Sequence, residues 1–201
     1  MREQRGYTLV EMIVGVGIIG ILAACAVPNI SSYLKSQASA TGAEELGANL
    51  RMARSRAVME GNDYVVEFLD SNRYLIVDDD GGGNGIPGAA GYVAGHRGNG
   101  VADGGERTYG PFKLPGDMAF TTASTATNPF TGAAIDQPVT FPLVNGTHQV
   151  CFHSNGTAET GGYVALAPAS DVARHSVARC RVLQVLRSTG EVASRSATRG
   201  S

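Results

Sequence analysis

A run of apolar residues at positions 7–27 constrains this chain more than any other feature of its sequence. Only Thr8 and Glu11 in this run are distinctly polar, and a helix needs about 20 apolar residues to cross the hydrocarbon layer of a membrane. We therefore predict a transmembrane helix over residues 7–27. The polar head that precedes it, residues 1–5, carries two arginines, so the positive-inside rule predicts a cytoplasmic N-terminus and an exported C-terminal part.

Glu11 places a carboxylate inside this apolar run. A charge at that depth costs on the order of 3 kcal/mol on insertion scales, so it requires a partner. Otherwise the carboxyl group stays protonated or reaches to the membrane interface. An acid in the first turns of a helix also faces the positive end of the helix dipole, which favours its charged form.

The N-terminal segment resembles the prepilin leader of type IV pilins and type II secretion pseudopilins. It consists of the basic head at residues 1–5, Gly6 and the start of the apolar run at residues 7–11. The resemblance implies that prepilin peptidase cleaves after Gly6, that Tyr7 becomes the N-methylated N-terminus, and that Glu11 recruits the subunit into a filament. The implied partner of the Glu11 carboxylate is the ammonium group of a neighbouring subunit. Tyr7 stands where the family usually has Phe, which keeps the aromatic ring.

A second processing signal lies further along the same run. Residues 22–25 have the pattern of a lipoprotein cleavage box, so a lipoprotein anchored at Cys25 is an alternative. Against it, the apolar segment would be long for a signal peptide and would contain Glu11. In the pilin interpretation Cys25 is simply a small apolar residue of the helix.

Cys151 and Cys180 both lie in the part of the chain that we expect to be exported. An oxidising compartment allows them to pair, so we predict a disulfide between them, with two separate buried thiols as the alternative. In the chain-entropy model a disulfide closing a loop of this length stabilises a domain by about 3 to 4 kcal/mol.

The hydrophobic period changes along the chain. Apolar residues spaced by fours and threes predict an amphipathic helix that ends near Gly61 and packs through Leu46, Leu50, Ala53 and Ala57. Alternation typical of strands then predicts a hairpin of residues 64–69 and 74–77. Further strands are predicted over residues 108–114, 118–122, 149–153, 163–167 and 181–187, with a short strand after the last turn.

These patterns predict an α+β fold, in which a long N-terminal helix precedes a small antiparallel β-sandwich-like domain, as in pilins. The expected parts are a leader peptide at residues 1–6, the helix at 7–60 and a globular domain at 61–201. Within the helix we expect the transmembrane segment at 7–27 and the amphipathic segment at 28–60.

A narrower resemblance comes from four stretches: residues 50–57, 99–106, 151–158 and 182–190. They are similar to the GspH/FimT family, which comprises H-type pseudopilins and minor pilins. The resemblance implies a structural subunit stored in the bacterial inner membrane as a single-pass protein with a periplasmic C-terminal domain. An assembly platform would then add it to other pilin or pseudopilin subunits in a periplasmic or extracellular filament.

The net charge of −2 gives no general sign of nucleic-acid binding, but the C-terminal stretch is locally basic. DNA-binding members of the resembled family carry basic residues there, and the corresponding candidates are Arg187, Arg195 and Arg199. Arginines in such positions contact phosphates. A solvated edge strand protected by charges explains the same residues equally well.

A glycine-rich loop carries oxygen donors of the kind that Ca²⁺ prefers: Asp78, Asp80, Asn84, Asp103 and Glu106. Their spacing matches no EF-hand, and we favour a solvated loop over a calcium site. His148, Cys151 and His153 suggest zinc or a thiol–imidazole pair, but on a strand residues 151 and 153 share a face that 148 does not. We therefore predict no resident metal or other cofactor.

The chain contains no Gly-x-Ser-x-Gly motif, no phosphate-binding loop and no second acid paired to a candidate base. We predict that it is not an enzyme. The predicted function is that of a minor pilin-like structural subunit that assembles into or caps a type IV pilus. The alternatives are an H-type pseudopilin of a type II secretion system, a DNA-binding minor pilin for DNA uptake, and the lipoprotein anchored at Cys25.

Overall fold

The computed structural model describes residues 9–79, 98, 100–102, 106–123 and 125–199, without the side chains of residues 25–29 and 31–32. The chain divides into two compact units, one ending at Gln37 and the other beginning at Ala38. The elements, in chain order, are α1 (Leu9–Glu60), β1 (Asp63–Phe68), β2 (Arg73–Asp79), β3 (Arg107–Lys113), β4 (Met118–Phe120), β5 (Ala126–Thr127), β6 (Leu143–Val144), β7 (Thr147–Phe152), β8 (Gly162–Pro168), α2 (Ala169–Val172), β9 (Arg181–Val185), β10 (Val192–Ser196) and β11 (Thr198–Arg199).

Helix α1 ends where the sequence predicts. Gly61 has a φ of 76° and donates its backbone N–H to the Ala57 carbonyl at 3.0 Å. Only glycine adopts this left-handed conformation without a steric penalty, and the hydrogen bond satisfies a carbonyl that the helix end would otherwise leave unpaired. The chain then turns directly into β1.

The strands form three antiparallel sheets. The largest has the order β3-β2-β1-β7-β6, the second the order β10-β9-β8-β4, and β11 pairs with β5. A long helix followed by antiparallel sheets confirms the predicted fold class. Strands β3 and β4 exist as expected, but they belong to different sheets, because the segment between them passes from one sheet to the other.

The main core lies among helix α1 and the inner faces of the two large sheets. The predicted helix face is confirmed, since Leu46, Leu50, Ala53 and Ala57 are completely buried. Strand alternation sends Tyr64, Val66 and Phe68 of β1 into this core and Val65 to the opposite face. The outer faces of the two large sheets carry smaller apolar clusters of their own, one on each sheet.

The β1–β2 hairpin is fixed by its turn. Asp70 accepts hydrogen bonds through Oδ1 from the backbone N–H groups of Asn72 and Arg73, each at 2.9 Å. The Asp70 carboxylate thus accepts the hydrogen bonds that the backbone of the turn donates. This is why Asp is favoured at the first position of such turns. The hairpin places Asp79 of β2 opposite Asp63 of β1.

Candidate functional site

The N-terminal half of α1 exposes a nearly continuous apolar surface. Ten large apolar side chains between 54% and 75% exposed make up most of it: Leu9, Val10, Met12, Ile13, Val14, Val16, Ile18, Ile19, Ile21 and Leu22. A contiguous apolar surface of this kind on a protein marks contact with other proteins or with lipid. Within the part of the chain that the structure describes, however, no helix is long and apolar enough to cross a membrane. The predicted span over residues 7–27 is therefore not confirmed, and its first two residues lie outside the described residues.

Glu11 lies in the first turn of α1 and is exposed in the single chain. An acidic side chain at this position interacts favourably with the positive end of the helix dipole. Gly6 and Tyr7, the predicted cleavage and methylation residues, lie outside the described residues. The assignments of all three residues stay predictions.

Cys151 and Cys180 are both buried and both free, so the predicted disulfide is wrong. Strand alternation explains the separation. Cys151 lies on the outer face of the five-stranded sheet in a cluster with Val65 and Val77. Cys180 immediately precedes β9 and packs in the cluster on the outer face of the other large sheet, beside Val182.

The two thiols have different electrostatic surroundings. Burial raises the pKa of the Cys151 thiol, and the carboxylates of Asp63, Glu159 and Asp79 raise it further. Burial also raises the pKa of Cys180, whose Sγ lies 3.9 Å from the Thr122 hydroxyl. The Asp171 carboxylate also raises the pKa of Cys180, so both thiols are neutral at ordinary pH.

The three candidate DNA-binding arginines are exposed but lie on different parts of the fold. Arg195 is on β10, with its guanidinium carbon 4.8 Å from the centre of the Phe130 ring. Arg199 on β11 lines a pocket of about 470 Å³ with Arg174. Arg187 follows β9 and lines a different pocket. The structure does not bring the three together at one described contact, and their role in DNA binding stays a prediction.

The candidate calcium ligands are only partly described. Asp78 and Glu106 are buried, and Asp78 accepts a long hydrogen bond of 3.4 Å from the Asn62 amide. Asp80, Asn84 and Asp103 lie outside the described residues. The choice between a solvated loop, which we favour, and a calcium site is therefore untested.

His148 is separate from Cys151 and His153, as the strand pattern predicts. Its Nδ1 lies 2.6 Å from the Phe141 carbonyl oxygen. The Nδ1 atom of His153 instead lies 3.9 Å from Cys151 Sγ. The partner that sequence reasoning missed is Asp63, whose Oδ2 lies 2.7 Å from the same His153 nitrogen. The sequence shows only that Asp63 lies at the start of the first strand. It does not show the register of β1 against β7, which brings Asp63 close to His153.

Comparison with known proteins gives two family matches. The prokaryotic N-terminal methylation motif matches residues 1–26, and the family described as type II transport protein GspH matches residues 42–189. A fimbrial protein of Pseudomonas aeruginosa is 38% identical over 65 residues, which are 32% of this chain and 42% of that protein. The type IV major fimbrial protein FimA of Dichelobacter nodosus is 39% identical over 61 residues, covering 30% of this chain and 38% of FimA. The matched part thus spans less than half the length of either relative.

Among solved structures, the type IV minor pilin FimU of Pseudomonas aeruginosa is similar with a TM-score of 0.42 and 18% sequence identity. The alignment covers 80% of this chain and 97% of FimU.

Proposed function

Because the chain belongs to the GspH family of type II transport proteins, we propose that it is a minor pilin-like subunit that assembles into or caps a type IV pilus. The N-terminal methylation motif is that of a membrane-anchored, pilin-type protein. The observation that carries the proposal is the presence of this motif ahead of the family domain, on a helix whose apolar side chains are exposed.

Three glycines in the exposed part of α1 support an assembly role. A Cβ atom added at Gly15, Gly17 or Gly20 would meet no atom of the described residues within 4 Å. No contact within the described chain therefore requires glycine at these positions, although each glycine costs helix stability relative to alanine. Glycines on apolar helices allow neighbouring helices to approach closely, which is what the core of a filament requires.

In this proposal the subunit is stored in the bacterial inner membrane with its C-terminal domain in the periplasm. Prepilin peptidase removes residues 1–6, and the new N-terminus at Tyr7 is methylated. The assembly platform then inserts the subunit beside other pilin subunits, where the Glu11 carboxylate meets the Tyr7 ammonium of a neighbour. In a low-dielectric filament core this attraction exceeds its value in water, although desolvation offsets part of the gain.

We propose a structural role without enzymatic activity and without a role in DNA uptake. The family consists of pilin-type structural subunits, and the arginines that would contact DNA lie on separate elements. The H-type pseudopilin of a type II secretion system is the second candidate, because the matching family is described as type II transport protein GspH.

The experiment compares the parent bacterium with a strain that lacks this chain. We expect fewer surface filaments, normal type II secretion, and recovery of the chain in sheared filaments. Intact-mass analysis of the recovered chain should show a start at N-methyl-Tyr7. A secretion defect with normal surface filaments would identify the pseudopilin instead. A chain that begins at an acylated Cys25 would overturn both assignments in favour of the lipoprotein.

A further inference from the structure

The register of the five-stranded sheet gathers several metal-binding side chains on its outer face. Asp79 of β2 pairs with Asp63 of β1, and the Asp63 side chain contacts His153, which directly follows β7. Cys151 lies two residues before His153 and therefore on the same face, opposite Val65. These residues thus come together at the ends of the three inner strands, and Asp63 follows helix α1 closely in the chain.

Three donor atoms of this group are close enough to bind one ion. His153 Nδ1 lies 2.7 Å from Asp63 Oδ2 and 3.9 Å from Cys151 Sγ, and all three donors lie within 4.8 Å of one another. In a tetrahedral zinc site the bond lengths of about 2.0 to 2.3 Å place neighbouring ligand atoms about 3.3 to 3.6 Å apart. The observed distances lie on either side of this range. A small widening of the contact between Asp63 and His153 would therefore admit the ion between the two side chains.

The carboxylate of Asp63 is held in position. Its side chain is only 3% exposed, and its Oδ1 accepts a hydrogen bond of 3.1 Å from the Ser154 backbone N–H. This bond leaves Oδ2 directed at the imidazole of His153. A second-sphere donor that fixes a ligand in this way is typical of metal sites.

The charge around Cys151 favours a cation. Asp63 is joined by Asp79, which is completely buried and accepts a hydrogen bond of 2.7 Å from the Gly100 backbone N–H. Glu159 donates its backbone N–H to the Cys151 carbonyl at 2.9 Å, which holds it beside the same strand. A divalent ion would interact favourably with these carboxylates.

A route from solvent reaches the cluster. His153 is partly exposed, and together with Glu159 it lines a surface pocket of about 550 Å³. Ions can therefore reach the imidazole side of the cluster without opening the sheet. The fourth position of a tetrahedral site is then available to water or to the Glu159 carboxylate.

We propose that Asp63, Cys151 and His153 form a binding site for a divalent transition-metal ion of the zinc class. A set of one sulfur, one nitrogen and one oxygen donor suits Zn²⁺, whereas Ca²⁺ and Mg²⁺ prefer oxygen donors alone. The bound ion ties β1 to β7 three residues after the end of α1, so it fixes the sheet where the helix joins it. Its role is structural, and it needs no redox or transfer chemistry.

The test uses the whole 201-residue chain, purified in mild detergent and treated with a chelator. Calorimetric titration with Zn²⁺ should show one ion bound per chain, and Zn²⁺ should raise the unfolding temperature by mass action. Titration with Co²⁺ should produce the near-ultraviolet absorption of a thiolate–cobalt bond together with the visible bands of tetrahedral cobalt.

Cys151→Ala should abolish the thiolate band and weaken Zn²⁺ binding at least a hundredfold. Cys180→Ala removes the other buried thiol and should change neither result, so it is the matched control. His153→Asn should weaken Zn²⁺ binding to a similar degree, whereas His148→Asn on β7 should not. His153 is partly exposed, so this pair keeps the test decisive even if Cys151→Ala fails to fold.

The absence of Zn²⁺ binding at micromolar concentrations would overturn the proposal. Binding that survives both Cys151→Ala and His153→Asn would also overturn it, because the ion would then be held elsewhere. Loss of the thiolate band in Cys180→Ala would also overturn the proposal, because Cys180 would then supply the thiolate ligand.

Discussion

Replacing Gly190 with alanine should destabilise the domain strongly, because this residue lies in a three-way contact. Gly190 has a φ of 61°, and an added Cβ would lie 2.4 Å from the Gly156 carbonyl oxygen. The same Cβ would lie 3.0 Å from the Arg54 side chain of helix α1. Arg54 Nε donates a hydrogen bond of 2.9 Å to that Gly156 carbonyl. The methyl group would therefore displace a backbone atom and the cation bound to it.

The expected loss is the sum of two costs. A side chain in the left-handed region costs about 1 to 2 kcal/mol. Real Cβ atoms do not approach an oxygen to 2.4 Å, so the Gly156 carbonyl must move away from Arg54. Losing a hydrogen bond to a charged group costs about 1.5 to 3 kcal/mol more. The total of about 2.5 to 5 kcal/mol is a large part of the stability of an ordinary domain.

Gly132→Ala is the matched control. Gly132 has a φ of 74°, but its Cβ would meet no atom of the described residues within 4 Å. This change should therefore cost only the conformational penalty of about 1 to 2 kcal/mol. Urea unfolding of the chain in mild detergent measures both variants, with tyrosine circular dichroism as the signal because the chain has no Trp. Equal losses in the two variants would refute the contact as the source of the effect.

Three further predictions concern other parts of the chain. Glu11→Gln should leave leader cleavage unchanged but lower the fraction of processed subunit in sheared filaments, and equal recovery would exclude Glu11 as the assembly contact. If Arg187, Arg195 and Arg199 hold phosphates, changing all three to Gln should reduce the salt dependence of duplex binding by the chain by about 2 to 3 units of slope, and no binding at low salt would exclude it. Burial raises the pKa of Tyr74 to about 12, so its contribution to stability is complete below pH 10 and is lost as the pH rises through 12. The unfolding free energy should therefore fall over that interval, and less so in Tyr74→Phe.

The features that depend on local pattern were predictable from the sequence. The spacing of Leu46 and Leu50 marks the buried face of α1 because neighbours on a helix face are set by its period alone. Gly61 ends the helix because its conformational freedom is a property of the residue itself. The β1–β2 hairpin was equally readable, since Asp70 stabilises its turn through contacts two and three residues away.

The features that depend on register were not predictable. Asp63 and His153 are far apart in the sequence, and their contact follows from the pairing of β1 with β7. The predicted disulfide failed for a related reason. The even number of exported cysteines and an oxidising compartment show only that Cys151 and Cys180 are able to pair. Whether they meet depends on the sheet against which each cysteine packs. A shift of one residue in either strand would send its cysteine to the other face of its sheet.

The contact around Gly190 also joins three of the four stretches that carry the narrower family resemblance. Arg54 lies in residues 50–57, Gly156 in 151–158 and Gly190 in 182–190, and each stretch supplies one member of the contact. The arginine fixes the end of the buried part of α1 to a turn, and that turn carries the carbonyl that the second glycine must approach. Neither glycine is replaceable without strain, because both have a positive φ. These stretches have weak sequence motifs, but their contact restricts which residues fit at positions 54, 156 and 190. The contact lies where helix α1 meets both large sheets.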